Sequence, residues 1–532
     1  MKNKKLFIAV LFLILTVSFS ACNRAEDHKN NDLQSETHTP STTDTSAETD
    51  DTPTQTDGEQ TTVHTHSAKS VKENEVAPTC ETAGSYDRVV YCSECHEELS
   101  RTTMSVAKLS HSYKNGICIR CNAQKTSKGL NFKSNGDGTC SLTGIGSCTD
   151  NDIIIPSVSP SGDRVTAISA MAFYSCSELD SIRIPDSVTS IGDSAFYYCT
   201  LLQTVVLSNN LTSLGDGIFS GCINLQYNQL GGFSYIGSEQ NPYLVLVKAN
   251  DKTKAEYVVN EKTVFISNHA FASCSNATSI IIGEQVVSIG SCAFQNCYSL
   301  ANITLPQNLT KISGQLFSSC DALESIVIPS KVTVIELLAF SFCKNLKSVE
   351  LPEGLEKIEV HAFNFCSALT EISIPDTVTE IQDGAFRDCS MLSGVVLPNS
   401  ITVIPDALFK NCSSLKSITI PSSVTEIGRH AFAGCTALET ITIPNGVTEI
   451  GMQAFENCTA LESIVIPAAV KKIEDNTFRN CSKLKSIQFE ITDGWQCFDV
   501  NTPMTDVLDV SNAEQNATYL ILKYNQYTWK RT

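Results

Sequence analysis

The sequence predicts a repeat solenoid that is rich in β-structure, has short helical or irregular corners and repeats every 23 residues. Thirteen cysteines each follow a phenylalanine by three positions, and eleven of the twelve intervals between them are 23 residues long. A fixed period of this size is typical of a solenoid, in which each turn packs only on its neighbours. These cysteines are Cys176, Cys199, Cys222, Cys274, Cys297, Cys320, Cys343, Cys366, Cys389, Cys412, Cys435, Cys458 and Cys481.

Each repeat also carries the pattern of a short strand. Leucine follows the cysteine by three positions, and aliphatic residues follow it by six and eight, as in Leu323, Ile326 and Ile328. This period-two alternation predicts a strand with one buried face, and the proline that usually follows marks its end because proline donates no ladder hydrogen bond. A second short run, V-x-x-I, precedes the next A-F-x-x-C corner. Phenylalanine and cysteine are predicted to point inward, with the thiols acting as small apolar fillers and not as disulfides.

The interval between Cys222 and Cys274 is 52 residues and therefore holds an insertion, at about residues 226–262. Its β-rich runs, residues 243–248 and 257–259, flank a polar segment. Two such runs around a polar turn predict a hairpin, which we expect to project from the solenoid.

The solenoid is predicted over residues 128–490. Residues 491–532 lose the period and contain Trp495 and Trp529. Because terminal repeats must cover an exposed core and free strand edges, this segment is predicted to be a C-terminal cap. An aromatic ligand site is the alternative.

The N-terminus predicts export and a lipid anchor. Three lysines precede an apolar run at residues 6–19, and small residues lead to Cys22. Residues 1–22 are therefore predicted to be a lipoprotein signal peptide with Cys22 as the lipidated residue, the alternative being an ordinary signal peptide. Residues 23–71 are rich in Thr, Ser, Asp and Glu and are predicted to form a disordered stalk, in which His66 is a solvated side chain.

Residues 72–124 predict a small zinc-ribbon-like module. Two C-x2-C knuckles supply four thiolates, which suits a tetrahedral structural zinc site in a segment too short for a large core. The predicted ligands are Cys92, Cys95, Cys118 and Cys121. Disulfides are the alternative in an exported chain. Either Cys80 or His111 could replace one ligand.

Charge and motifs exclude several functions. The formal net charge of −19 disfavours binding to nucleic acid and electrostatic docking on an anionic membrane, so membrane contact is expected through the lipid anchor only. The chain has no G-x-S-x-G, H-E-x-x-H or glycine-rich phosphate loop, and we expect it not to be an enzyme.

A candidate binding face follows from the strand register. Residues seven positions after the cysteine should face outward in a broad, neutral and weakly apolar sheet, which suits protein or glycan contact. This set includes Val327, Glu350, Ser373, Val396, Thr419, Thr442 and Val465. The alternative is that they are solvated, β-forming residues without a ligand.

The repeating unit, with its A-F-x-x-C-x-x-L-x-x-I-x-I-P core, resembles the BspA-type leucine-rich repeats of bacterial surface proteins over about residues 128–490. Residues 72–124 resemble a Cys-rich segment found beside such repeats in gut Firmicutes. The resemblance implies display on the extracellular face of the cell membrane and adhesion to extracellular proteins or glycoproteins, such as host matrix, mucin or other cells. A structural spacer of the cell envelope without a specific ligand is the alternative.

Overall fold

The computed structural model describes residues 66–80, 82–110, 112–114, 117–121, 125–498 and 505–531. The predicted signal peptide with Cys22, most of the predicted stalk, and His111 lie outside the described residues. Of the described residues, 66–74 and 87–104 form one compact unit, and the others form a second unit that contains the repeats.

The N-terminal region contains a three-stranded sheet with strands Ala68–Val76, Gly84–Cys92 and Glu98–Val106 in that order. Its first strand begins inside the stretch predicted to be stalk, so the predicted stalk extends too far at its C-terminal end. In the first unit, Arg101 forms ion pairs with Glu73, Asp87 and Glu98 at 3.0, 3.2 and 2.8 Å. A polar sheet held by cross-strand charge pairs has a composition similar to that of a disordered stalk. The start of the sheet therefore could not be distinguished from stalk by composition alone. A short hairpin, Tyr113–Lys114 with Ile117–Cys118, follows.

In the second unit, each turn of the solenoid contributes one strand to each of two columns. Neighbouring strands that pair along a column within a run of regular repeats do so in parallel and with a 23-residue offset, as in Ile326 opposite Val349, and the first column is divided into sheets of two or three strands. The first column is formed by Asp152–Ile154, Ser181–Arg183, Thr204–Val206, Glu256–Val258, Ser279–Ile281, Asn302–Ile303, Ser325–Val327, Ser348–Glu350, Glu371–Ser373, Gly394–Val396, Ser417–Thr419, Thr440–Thr442, Ser463–Ile466 and Ser486–Phe489. Twelve of these are strands predicted after a repeat cysteine, whereas Asp152–Ile154 and Glu256–Val258 are not. The strand after Cys222, Asn228–Leu230, pairs with Phe233–Ile236 and lies outside this column.

The second column contains the V-x-x-I runs. Its strands are Thr139–Gly144, Arg164–Ile168, Ser190–Ile191, Ser213–Leu214, Val245–Ala249, Phe265–Ile266, Ser288–Ile289, Lys311–Ile312, Val334–Ile335, Lys357–Ile358, Glu380–Ile381, Val403–Ile404, Glu426–Ile427, Glu449–Ile450 and Lys472–Ile473. At the N-terminal end, Asn131–Ser134 pairs antiparallel with Thr139–Gly144 and covers the edge of this column.

The A-F-x-x-C corners form a third hydrogen-bonded ladder. In the corner before Cys343, the backbone N–H groups of Leu338, Phe340 and Phe342 donate to carbonyl oxygens of the next turn at 3.0, 2.8 and 2.8 Å. The corners are therefore regular structures, although they are neither helix nor strand, and their backbone groups are satisfied from turn to turn.

Every corner contains two residues in the left-handed region, five positions and one position before the cysteine. In the turn of Cys412 these are Ala407 at φ 55° and Asn411 at φ 62°. L-residues with a Cβ are strained in this region by roughly 1–2 kcal/mol each, whereas glycine is not. The corner thus carries a repeated backbone cost that the packing of the core must offset.

We expect the same Ala→Gly substitution to have opposite effects at two half-buried positions. Ala407→Gly should raise the free energy of unfolding by roughly 0.5–1 kcal/mol because it relieves the left-handed strain. Ala437→Gly, at a residue outside the positive-φ set, should lower it by about 0.5–1 kcal/mol. Urea unfolding of both variants measures the difference, and a loss of stability at Ala407 would contradict it.

Two inward columns fill the core beside the strands. The phenylalanine rings stack from turn to turn, for example Phe340 on Phe363 with ring centroids 5.2 Å apart. The cysteines are free thiols, as predicted. They also form hydrogen bonds. In each uninterrupted series of 23-residue repeats, every thiol after the first donates to the phenylalanine carbonyl of the preceding turn, as Cys366 Sγ does to Phe340 O at 3.2 Å.

The insertion differs from its prediction. Val245–Ala249 pairs antiparallel with Phe233–Ile236, which in turn pairs with Asn228–Leu230, and not with the run around Tyr257. Glu256–Val258 instead joins the first column beside Ser279–Ile281. The β-rich character of both runs indicated strands, but their partners depend on the 23-residue spacing to the next turn.

The insertion also does not project as predicted. The side chains of Phe233, Tyr235 and Tyr257 are at most 4% exposed, and Phe233 and Tyr257 pack edge to face or tilted on one another and on Phe271. The aromatic residues thus fill the interior where the phenylalanine stack is interrupted. The buried apolar side chains form two clusters, one before and one after this interruption.

The C-terminal residues pack on the last turns. Thr528–Arg531 pairs antiparallel with Lys472–Ile473 and with Trp495–Phe498, which also pairs with Thr505–Val507. The α-helix Ala513–Thr518 is capped by Asn512 and continues into the π-helix Tyr519–Lys523. Trp495 and Trp529 are 1% and 0% exposed, so these indoles belong to the core and do not line an aromatic ligand site.

Candidate functional site

A shallow, open groove of about 1000 Å³ crosses the outer face of the first strand column. It extends over five turns, from Ser325 to Thr419. The alternation of each strand positions its lining residues, because the residues six and eight after the cysteine face the core and the ones between them face out. Five of the seven residues of the predicted face line it: Val327, Glu350, Ser373, Val396 and Thr419.

The remaining two predicted residues, Thr442 and Val465, are exposed on later strands of the same column but do not line the groove. The exposed valines are unusual for a solvated surface: Val327, Val396 and Val465 are 60%, 61% and 45% exposed. A row of exposed β-branched side chains in a concave surface is suited to contact with another macromolecule.

The charge of the groove differs from the prediction of a little-charged sheet. Glu350, Glu353 and Glu371 line it, and among the described lining residues none is basic. Glu350 and Glu353 belong to one turn and Glu371 belongs to the next, so the carboxylates lie on two adjacent turns. The groove therefore combines apolar and hydroxyl-bearing side chains with local negative charge.

The first N-terminal Cys/His group lies in the unit of residues 66–74 and 87–104. Ligand atoms of His66, Cys92 and Cys95 lie within 4.8 Å of one another. The Ser93 N–H donates to the Ser67 carbonyl at 2.8 Å, which brings the strand after His66 to the Cys92 knuckle. Cys92 is buried, whereas His66 and Cys95 are exposed.

The second group lies in the other compact unit. Ligand atoms of Cys80, Cys118 and Cys121 also lie within 4.8 Å of one another. The hairpin that ends in Cys118 presents the second knuckle. Cys80 and Cys118 are buried and Cys121 is half-buried.

The protonation of these thiols reflects their surroundings. The Cys95 backbone N–H, with further hydrogen bonds, lowers the pKa of Cys92 to about 6. Burial, together with the neighbouring Cys118 and Cys121 thiols, raises the pKa of Cys80 to about 11. In both groups a cation would stabilise the deprotonated form, and the Cys/His groups of the N-terminal region could hold a metal ion.

The four cysteines predicted to share one site are thus distributed over two groups, one knuckle in each. Each group gains a donor that lies outside the knuckles. In the first group it is His66, which the sequence predicts to be a solvated stalk residue, and in the second it is Cys80, one of the two residues that the sequence offers as a replacement ligand. Knuckle spacing reveals which two thiols lie together but not which third donor the chain brings to them.

The column cysteines are poorly suited to nucleophilic chemistry. Burial is the largest cause that raises the pKa of Cys343 to about 12 and that of Cys366 well above its usual value. A thiol that stays protonated and inaccessible is a poor nucleophile.

The repeat region identifies the protein family. The BspA type leucine rich repeat model matches residues 147–240, 264–393 and 390–498 in six copies, which together make up more than half of the chain. The chain belongs to the BspA-type leucine-rich-repeat family. The predicted BspA-type solenoid is thereby confirmed, and no enzyme family is indicated by this match.

Solved structures of leucine-rich repeat proteins from several bacteria are similar to this chain. A leucine-rich repeat protein from Bacteroides ovatus is 24% identical, with 68% of this chain and 99% of that chain covered and a TM-score of 0.31. A leucine rich cell surface protein from Faecalibacterium prausnitzii is 26% identical, with coverages of 70% and 96% and a TM-score of 0.30. A leucine-rich repeat protein from Eubacterium ventriosum is 23% identical, with coverages of 67% and 94% and a TM-score of 0.36.

No curated protein matches the BspA-type chain.

In the part of the chain that the structure describes, no helix has the length and apolar character needed to cross a membrane.

Proposed function

We propose that this protein is a cell-surface adhesin without catalytic activity, which binds extracellular proteins or glycoproteins through the groove of the first strand column. The observation that carries the proposal is the groove itself: five consecutive turns present exposed valine, serine and threonine side chains beside three glutamates. Solenoids present extended surfaces of this kind to macromolecular partners. A partner surface with apolar and basic groups would complement it.

The chemistry of the N-terminus supports display at the extracellular face of the membrane. The apolar run of residues 6–19 and the small residues after it lead to Cys22, which would be the acylation site, and the polar residues after Cys22 would provide a spacer. The anchor would hold the protein at the membrane while the groove remains accessible to macromolecules outside the cell.

Zinc in the N-terminal module would have a structural role. Thiolate and imidazole are preferred zinc ligands, and a segment of this size has few apolar side chains to stabilise it. The binding free energy of the metal would then contribute directly to folding of the module.

Binding is tested by surface plasmon resonance with immobilised matrix proteins, mucins and proteins of neighbouring cells, and with purified residues 23–532 as analyte. We expect saturable binding to at least one of them. Val327→Lys and Val396→Lys should each weaken it roughly tenfold or more, because each replaces an exposed apolar side chain of the groove with a positive charge that would face the basic groups of the partner.

Val403→Lys is the matched control for these variants. Val403 is 38% exposed, but it lies in the second strand column, on another side of the turn. Its substitution should leave the affinity unchanged. If no immobilised protein binds the folded chain, the spacer role replaces the adhesin role, and if all three variants weaken binding equally, the groove is not the contact surface.

A further inference from the structure

We infer that the N-terminal region binds two zinc ions at two separate sites, one formed by His66, Cys92 and Cys95 and the other by Cys80, Cys118 and Cys121. The inference rests on the proposed structural zinc but assigns different ligands from a single four-cysteine site. It depends on three observations: the grouping of the donors, the distances between them and their distribution over the compact units.

The distances between donor atoms fit the edges of a zinc coordination tetrahedron. Zinc–sulfur bonds of about 2.3 Å and zinc–nitrogen bonds of about 2.0–2.1 Å give tetrahedral edges of about 3.8 Å between two sulfurs and about 3.6 Å between sulfur and nitrogen. In the structure, Cys80 Sγ and Cys118 Sγ are 3.8 Å apart. Cys95 Sγ and His66 Nδ1 are 3.6 Å apart. Both pairs therefore lie at the separation of two ligands of one zinc ion.

Disulfides do not account for these groups. The 3.8 Å between Cys80 Sγ and Cys118 Sγ is far longer than the bond of about 2.0 Å in a disulfide. A group of three thiols would also leave one thiol over after any disulfide, and the imidazole of His66 cannot take part in one. A zinc ion can be bound by all three donors of each group.

The two groups also belong to different parts of the fold. His66, Cys92 and Cys95 all lie in the compact unit of residues 66–74 and 87–104, whereas Cys80, Cys118 and Cys121 all lie in the other unit. Each set of donors is therefore assembled by the local fold of its own unit, and we expect each site to bind zinc when the other has been removed.

The first test measures the zinc content of the purified chain, expressed with zinc and freed of loosely bound metal, by plasma mass spectrometry. We expect two ions per chain. Cys92→Ser and Cys118→Ser should each leave one ion, and the double variant should leave none. Cys292→Ser is the control, since this half-buried thiol lies in the solenoid and belongs to neither group, and it should retain two ions.

A second variant does not depend on the loss of a ligand. His66→Cys converts the first site from two thiolates to three, so zinc should be retained. After replacement of zinc by cobalt, the sulfur-to-cobalt charge-transfer absorption should increase, because this absorption grows with the number of bound thiolates. His96→Cys, beside the knuckle but in neither group, should leave the absorption unchanged.

The outcomes separate the two proposals. One ion per chain that is lost in both Cys92→Ser and Cys118→Ser would establish the single four-cysteine site and overturn the two-site inference while keeping structural zinc. Two ions that are both lost in one single-site variant would overturn the independence of the sites. Absence of zinc from a chain whose thiols are oxidised would overturn structural zinc altogether.

Discussion

Phe363→Ala is expected to lower the free energy of unfolding by about 3–5 kcal/mol, as large-to-small substitutions of buried aromatic residues do. The Phe363 ring is fully buried and stacks on the rings of Phe340 and Phe386 with centroids 5.2 and 5.4 Å away. Its loss would leave a cavity and remove two stacking contacts, each of which contributes about 0.5–1.5 kcal/mol beyond burial. Urea unfolding followed by circular dichroism measures the change.

Phe365→Ala is the control for this prediction, because Phe365 lies in the same corner, two residues after Phe363. Its ring is 37% exposed and also stacks on a neighbouring turn, at 4.7 Å from Phe342. It lies at a left-handed position, where alanine is as strained as phenylalanine. We expect a loss of about 1 kcal/mol or less. Equal losses for the two variants would show that stacking on the surface, and not burial, stabilises the turns.

Removal of residues 491–532 is expected to make the chain aggregate. The truncation uncovers Phe489, which contacts both Trp495 and Trp529, and it frees the edge of Lys472–Ile473. An open parallel edge beside an uncovered apolar core is a template for pairing with another chain. Size-exclusion chromatography with light scattering distinguishes the two states.

Leu522→Ser is the control within the same segment. Leu522 is 72% exposed, so its substitution should leave the elution and the scattering mass of the intact chain unchanged. A truncated chain that did not aggregate and that unfolded at the same urea concentration as the intact chain would show that residues 491–532 do not protect the end of the solenoid.

The repeat was predictable because its core positions are apolar in nearly every turn. The alternation around Ile326 and Ile328 indicated the strand, and it placed Val327 on the outer face, where the structure has it. The left-handed corners were missed, although the sequence contains a signal for them. Asparagine or glycine precedes the cysteine in six turns, and both tolerate positive φ. Larger residues such as Phe342 and Phe365 at the same position obscured that signal.

The sequence indicated which segments are strands and which cysteines are candidate metal ligands, but it did not indicate which strands pair or which donors come together. Residues 243–248 and 257–259 have strand character, but residue type does not reveal that the first run pairs with Phe233–Ile236 and the second joins a column. The same holds for Cys92 and Cys118. Their knuckles were evident from spacing, whereas the approach of His66 depends on the hydrogen bond between Ser93 and Ser67, which no local pattern encodes.

The division of the core at the insertion has a consequence for synthesis on the ribosome. Most hydrogen bonds between turns join residues about 23 positions apart, so a turn can dock soon after it emerges, and short sequence separations favour rapid folding. The buried side chains of the first cluster all lie between Leu130 and Phe265, so this part of the core can form while the rest of the chain is still being translated. Closure by Thr528–Arg531 on Lys472–Ile473 must wait for the last residues, which makes it the final step of folding.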